Sequence, residues 1–233
     1  MSYVTGANYV TGNPIGMGSN LTFKGSGELD NGWSFDYTVA MLNQDAHSNS
    51  VVNIVMGGFG EININQGDSG NGIDAMDDKM PTAWEEPWGA GMSTGVRLVD
   101  GVGSSLNIQY TTPTILGTTI VVAMAPDTGV TDTADKTVAT ANGESAETFD
   151  ATVNINPSLG TEILSGLNLF VGASYTEQYG NEIDGSGLEE DNYEAAGGVT
   201  YDLGPLSLGA QWSGESLGES SNITAPNSYK NHA

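Results

Sequence analysis

The feature that most constrains this chain is a two-residue period. In "WSFDYTVAM", Trp33, Phe35, Tyr37, Val39 and Met41 alternate with Ser34, Asp36, Thr38 and Ala40. Side chains on a β-strand alternate between faces, so such a segment has one apolar and one polar side. Leu21 and Phe23 repeat the pattern against Asn20, Thr22 and Lys24, and Ile62 and Ile64 against Glu61, Asn63 and Asn65. Leu106, Ile108 and Tyr110 flank Asn107 and Gln109, and Phe149, Ala151, Val153 and Ile155 alternate with Asp150, Thr152 and Asn154. Tyr193, Ala195, Val199 and Tyr201 oppose Glu194, Thr200 and Asp202, while Leu206, Leu208, Ala210 and Trp212 oppose Ser207 and Gln211. About ten segments fit this template, and no amphipathic helix of useful length competes. The fold expected is all-β and antiparallel.

The alternation does not say what the apolar face touches. It fits a soluble sandwich, where that face meets a second sheet, and a membrane barrel, where it meets lipid. The connections discriminate. "LDNG" (29–32), "GGFG" (57–60), "PTILG" (113–117) and "DLGP" (202–205) are short, and Pro157 to Gly166 is moderate. The links 42–49, 66–104, 127–145 and 179–191 are longer, and so is the tail after Gly214. Short and long connections alternate in order. Outer-membrane barrels have this asymmetry, with short turns on one side and long loops on the other.

Charge narrows the function classes. Lys and Arg number 5 against 29 Asp and Glu, a formal net charge of −24. A nucleic-acid partner is excluded, because phosphate binding needs a basic face. The chain has no cysteine, hence no disulfides and no thiolate chemistry. No run of about 20 apolar residues marks a transmembrane helix. The first residues, "MSYVTGANYVTGNPIGMGSN", lack the charged start and apolar core of a secretory signal.

Several segments resemble the general diffusion porins of Gram-negative bacteria. "GFGEININQG" (58–67) is similar to their strand before the constriction loop, and "SLNIQYTTPTILGTTIVVAMAP" (105–126) to the hairpin after it. "GSGELDNGWSF" (25–35) is similar to their first short hairpin, and Arg97 in "GVRLVD" sits where an arginine often precedes the second hairpin. Thr112 departs from the serine that often stands before the proline. The matching order spans about half the chain. The resemblance implies a sixteen-stranded barrel whose loop after the fifth strand folds inward, outer-membrane lipid around it, and a homotrimer. This chain then corresponds to about strands two to eleven, an internal fragment without signal peptide, first strand or last strands. The expected architecture is an antiparallel meander, a partial transmembrane β-barrel of about ten strands with an inward-folded long loop.

A single unit, 1–233, is expected: strands in 20–65, the constriction loop in 66–104, later strands in 105–213, and outer loop segments in 1–19 and 214–233. Loops beyond about 12–15 residues without secondary structure are usually functional or disordered. Trp84, Trp88, Pro81 and Pro87 favour a docked loop, and "IDAMDDKM" (73–80) suits one helical turn. The candidate constriction residues are Asp68, Asp74, Asp77, Asp78, Glu85 and Glu86 with Lys79, and the candidate lumen-wall residues are Lys24, Asp36, Glu61 and Arg97. Carboxylates facing a confined passage raise the local cation concentration.

The expected function is passive diffusion of small hydrophilic solutes and ions, with a preference for cations, no catalysis and no cofactor. Glu85 and Glu86 do not make an acid/base pair, since neighbours in an extended segment point apart. His47 and His232 have no partner motif, so no metal site is expected there. "DGSGLEEDNYE" (184–194) gathers oxygen ligands of the kind calcium uses but lacks EF-hand spacing. Trp33, Tyr37, Tyr193, Tyr201 and Trp212 suit interfacial aromatic belts. The rival reading is a secreted acidic β-sandwich or solenoid that binds carbohydrate or calcium. It requires a dry core between sheets.

Overall fold

The computed structural model describes residues 2–3, 15–16, 20–42, 47–80, 99–126, 147–157, 165–177, 191–216 and 228–232. Two short strands, β1 (Ser2–Tyr3) and β2 (Ile15–Gly16), pair with each other. The remaining strands are β3 (Asn20–Glu28), β4 (Ser34–Leu42), β5 (Asn49–Val55), β6 (Glu61–Gln66), β7 (Asn107–Thr111) and β8 (Thr118–Ala125). They continue with β9 (Thr148–Ile155), β10 (Leu167–Thr176), β11 (Asn192–Leu203), β12 (Leu206–Ser216) and β13 (Ser228–His232). β3 to β13 form one eleven-stranded antiparallel sheet in which every strand pairs with its neighbours in sequence. The sheet is open, with β3 at one edge and β13 at the other. It therefore forms part of a barrel wall, as expected.

The register turns the sequence alternation into two faces. Residues directly opposite each other in an antiparallel pair share a face. One row runs Tyr37, Val52, Ile64, Ile108, Met124, Phe149, Tyr175 and Tyr193 across eight strands, β4 to β11. A row one residue along runs Ser26, Asp36, Asn53, Asn63, Gln109, Ala123, Asp150, Ser174, Glu194 and Glu215. A single-residue slip anywhere would exchange these rows, so the register is held by what each face meets.

The faces are inverted relative to a water-soluble protein. Ile108, Val171, Phe149, Tyr193, Leu208 and Trp212 are exposed, while Thr148, Asp150, Thr152, Ser174, Glu194, Ser213 and Glu215 are buried. No second large sheet covers the apolar face among the described residues, so the sandwich reading lacks the dry core it needs. No described helix is long and apolar enough to cross a membrane. The strands can do so instead, since pairing between neighbours satisfies the backbone without water.

The turns follow their local chemistry. At Asn31-Gly32 the Leu29 N–H donates to Trp33 O (2.7 Å), and Asn31 Oδ1 accepts from the Trp33 N–H (3.1 Å). Tyr110 spans β7 to the β5–β6 turn by donating its hydroxyl to Phe59 O at 2.7 Å. One difference from the sequence expectation lies at the far end. β12 reaches Ser216 and Ser228–His232 adds a further strand, so part of the segment expected as an outer loop is sheet.

Val171 sits mid-strand on the apolar face. Val171→Arg should cost about 2–4 kcal/mol if that residue meets the hydrocarbon midplane. Thr38→Arg, on the opposite face beside Lys24, should be tolerated. Folding yields of the two variants into lipid bilayers check this; equal yields would reverse the face assignment.

Candidate pore-constriction site

The described limbs of the long connection between β6 and β7, residues 67–80 and 99–106, lie against the polar face of the sheet. The first limb leaves β6 through an Asn-rich corner. Asn65 donates its side-chain N–H to Asp68 O (2.8 Å) and accepts from the Asp68 N–H (3.3 Å), and Asn71 donates to Asp68 O (2.8 Å). Asp74–Lys79 then form a 3-10 helix, the helical turn expected in that stretch. Asp74 accepts the Gly70 N–H at 2.7 Å, which ties that helix to the corner before it.

Two carboxylates of the wall hold the loop. Asp150 Oδ2 on β9 accepts the backbone N–H of Ile73 (2.9 Å) and of Val102 (3.0 Å). One oxygen thus grips both limbs. Glu194 on β11 accepts the N–H of Gly101 (2.7 Å) and of Asp100 (3.2 Å). Gln109 on β7 accepts the Gly72 N–H at 2.8 Å. A buried donor left without a partner costs about 1–3 kcal/mol.

Glycine is required where the backbone closes on Asp150. Gly72 and Gly101 have φ of +58° and +54°. At either position a Cβ would collide with the Asp150 carboxylate. Any other residue would be strained and would also displace the anchor.

Apolar packing completes the docking. Ile73, Met76, Met80 and Val99 of the loop cluster with Phe170 and Ala196 of β10 and β11, and Val102 clusters with Ala123 and Ala125 of β8. Ile73, Met76, Val99 and Val102 are all 2% exposed or less. Fully burying such a side chain contributes about 1.5–3 kcal/mol. Thus the polar face bears its own apolar patch, placed under the loop. Gly172 leaves room there for the Met76 methyl, which a Cβ would approach to 2.7 Å.

The candidate residues fall into three groups. Lys24, Asp36 and Glu61 all stand on the polar face, in register with Thr38, Asn53 and Thr111 respectively. Asp36 accepts from Asn53 (3.0 Å), which in turn accepts from Asn63. Asp68, Asp74, Asp77 and Lys79 lie on the docked limb, with Asp68 and Lys79 exposed and Asp74 and Asp77 half-buried. Asp68 also accepts from Asn49 Nδ2 at 3.2 Å, beside the start of β5. Asp78 belongs to the 3-10 helix but its side chain lies outside the described residues, and so do Glu85, Glu86 and Arg97. Of the acidic segment 184–194, residues 191–194 are described: Asp191 accepts from the Tyr175 hydroxyl (2.8 Å) and Glu194 holds the loop. Sequence reasoning did not single out Asp150, Glu194 or Gln109, which look like ordinary polar-face residues. The available signal was a carboxylate in the middle of a strand, facing the side where a long loop must go.

A meander with an apolar outer face and a long loop seated on its polar face is a membrane β-barrel wall of the pore-forming kind. The family model described as Gram-negative porin matches residues 1–230. The chain belongs to the Gram-negative porins, and its place is the bacterial outer membrane. No curated protein sequence matches it.

Asp150→Ala should release both limbs of the loop, because two buried N–H groups lose their acceptor at about 1–3 kcal/mol each. Asp150→Asn keeps an oxygen and should be milder. The rate of tryptic cleavage after Lys79, compared with cleavage elsewhere, reads the difference. Identical rates in Asp150→Ala and the parent would show that this carboxylate does not hold the loop.

Proposed function

We propose that the polar face lines a water-filled passage for passive diffusion of small hydrophilic solutes and ions, that the 66–104 loop narrows it, and that it favours cations. The observation that carries this reading is the seating of the loop on the polar wall by Asp150, Glu194 and Gln109. A loop held there takes up cross-section and brings its carboxylates with it. In a confined, partly desolvated passage those charges are screened less than at an open surface. Asp74, Asp77, Asp36 and Glu61 outnumber Lys24 and Lys79 among the described candidates on loop and wall. Local cation concentration rises accordingly.

The reaction class follows from the same arrangement. The wall carboxylates Asp150 and Glu194 are engaged with loop backbone, which suits a scaffold more than a substrate site. We read the protein as a channel and not an enzyme. The apolar outer face would meet lipid, and part of it would meet neighbouring copies if the protein forms the homotrimer that the family resemblance implies.

In a planar bilayer under a potassium chloride gradient, the reversal potential should show potassium preferred over chloride. Replacing Asp74, Asp77, Asp78, Glu85 and Glu86 together by their amides should move it toward the non-selective value. Amides at Asp132 and Asp135, in a different connection, should move it less. An unchanged reversal potential in the five-residue variant would refute a selectivity role for the loop.

A further inference from the structure

The polar face holds a second feature, apart from the anchors. Between the short-turn end of the sheet and the docked loop lies a cleft of about 500 Å³. Its walls come from β8 to β11 and from the turn before β8, and its lip is Lys79 at the end of the 3-10 helix. Among the described residues lining it, none is a carboxylate. In a chain with 29 acids and 5 bases, a recess whose one charged side chain among the described residues is a lysine is opposite in sign to its surroundings.

Beside Gly117, Ile155, Leu169 and Phe170, the described lining carries amides and hydroxyls in ordered array. Asn156 donates to Asn168 Oδ1 (2.7 Å), and Asn168 donates to Thr200 Oγ1 (3.3 Å), a chain across three strands. The hydroxyls of Thr114 and Thr119 lie 2.9 Å apart, and Asn154 stands opposite Thr119 in the register. These neighbours fix the amide orientations while leaving each group further donor or acceptor capacity. A few ordered polar groups in a concave recess are what orient a small ligand.

We propose that this cleft is a low-affinity subsite for small hydroxylated carboxylates, of the sugar-acid kind. The carboxylate meets the Lys79 ammonium, and the hydroxyls exchange hydrogen bonds with the Asn and Thr array. This rests on the polar face being the lumen. It adds to that reading a reason why an acidic passage could admit organic anions: the cleft offers them one neutral-walled place with a compensating positive charge. A neutral sugar lacks the charge contact, and a simple carboxylate lacks the hydroxyls.

The test is titration calorimetry on the purified full chain in detergent micelles with three probes: sodium gluconate, D-glucose and sodium acetate. Gluconate should bind more tightly than either of the others. Lys79 is exposed, so Lys79→Gln removes the charge without opening the wall. It should weaken gluconate binding about fivefold, the upper range for one solvent-exposed ion pair, while Lys79→Arg should retain it. Asn168→Asp, nearly isosteric, should weaken gluconate and leave glucose unchanged. Gluconate binding no tighter than glucose or acetate, or unaltered by Lys79→Gln, would overturn the proposal. Bilayer conductance separates the two readings. A conducting channel without gluconate binding removes the subsite and keeps the pore, whereas gluconate binding without conductance removes the pore and keeps the cleft.

Discussion

Everything in this protein depends on where the backbone hydrogen bonds go. In a hydrocarbon surrounding, an unpaired N–H or C=O costs several kcal/mol, so each spanning strand needs partners on both sides. The order β3 to β13 meets that demand for β4 to β12, neighbour to neighbour, and gives the edge strands β3 and β13 one partner each within the described sheet. Once the backbone is committed to the sheet, the side chains have only two directions. One takes Tyr37, Ile64, Ile108, Phe149 and Tyr193, and the other takes the amides, hydroxyls and acids.

That division creates a difficulty that the loop resolves. A polar wall has little to offer an irregular segment except hydrogen bonds, and the backbone of such a segment has many donors. Asp150, Glu194 and Gln109 accept from Ile73, Val102, Gly101, Asp100 and Gly72. Around these, Phe170, Ala196, Ala123 and Ala125 give the loop's own apolar residues a place to go. The loop is therefore held by direction-specific bonds and by apolar burial together. Carboxylates on this wall are structural acceptors before they are charges facing a solute.

The sheet was largely legible in the sequence because lipid on one side and polar contacts on the other impose a period that single residues obey. Alternation in Trp33–Met41 or Phe149–Ile155 needs no knowledge of partners. Even the polar-face positions of Lys24, Asp36 and Glu61 followed from it. What the period does not carry is contact between distant parts of the chain. Ile73 and Asp150 are 77 residues apart, and nothing local marks Asp150 as different from Asp36. β13 escaped for another reason: "SYKNH" has no apolar alternation, and it becomes a strand by pairing with β12. The cleft at Lys79 was also hidden, since its amides come from separate strands that only the register brings together.

The single oxygen of Asp150 that takes both Ile73 and Val102 closes the segment between them into a ring at the wall. The two ends of the segment between them are fixed relative to each other by the wall, whatever its own length. Lengthening a closed loop costs little, roughly 0.6 kcal/mol for each doubling. Insertions and deletions between these points would thus have slight effect on the barrel's stability. Descent could exchange that segment freely, so relatives with the same wall need not share its length or its sequence.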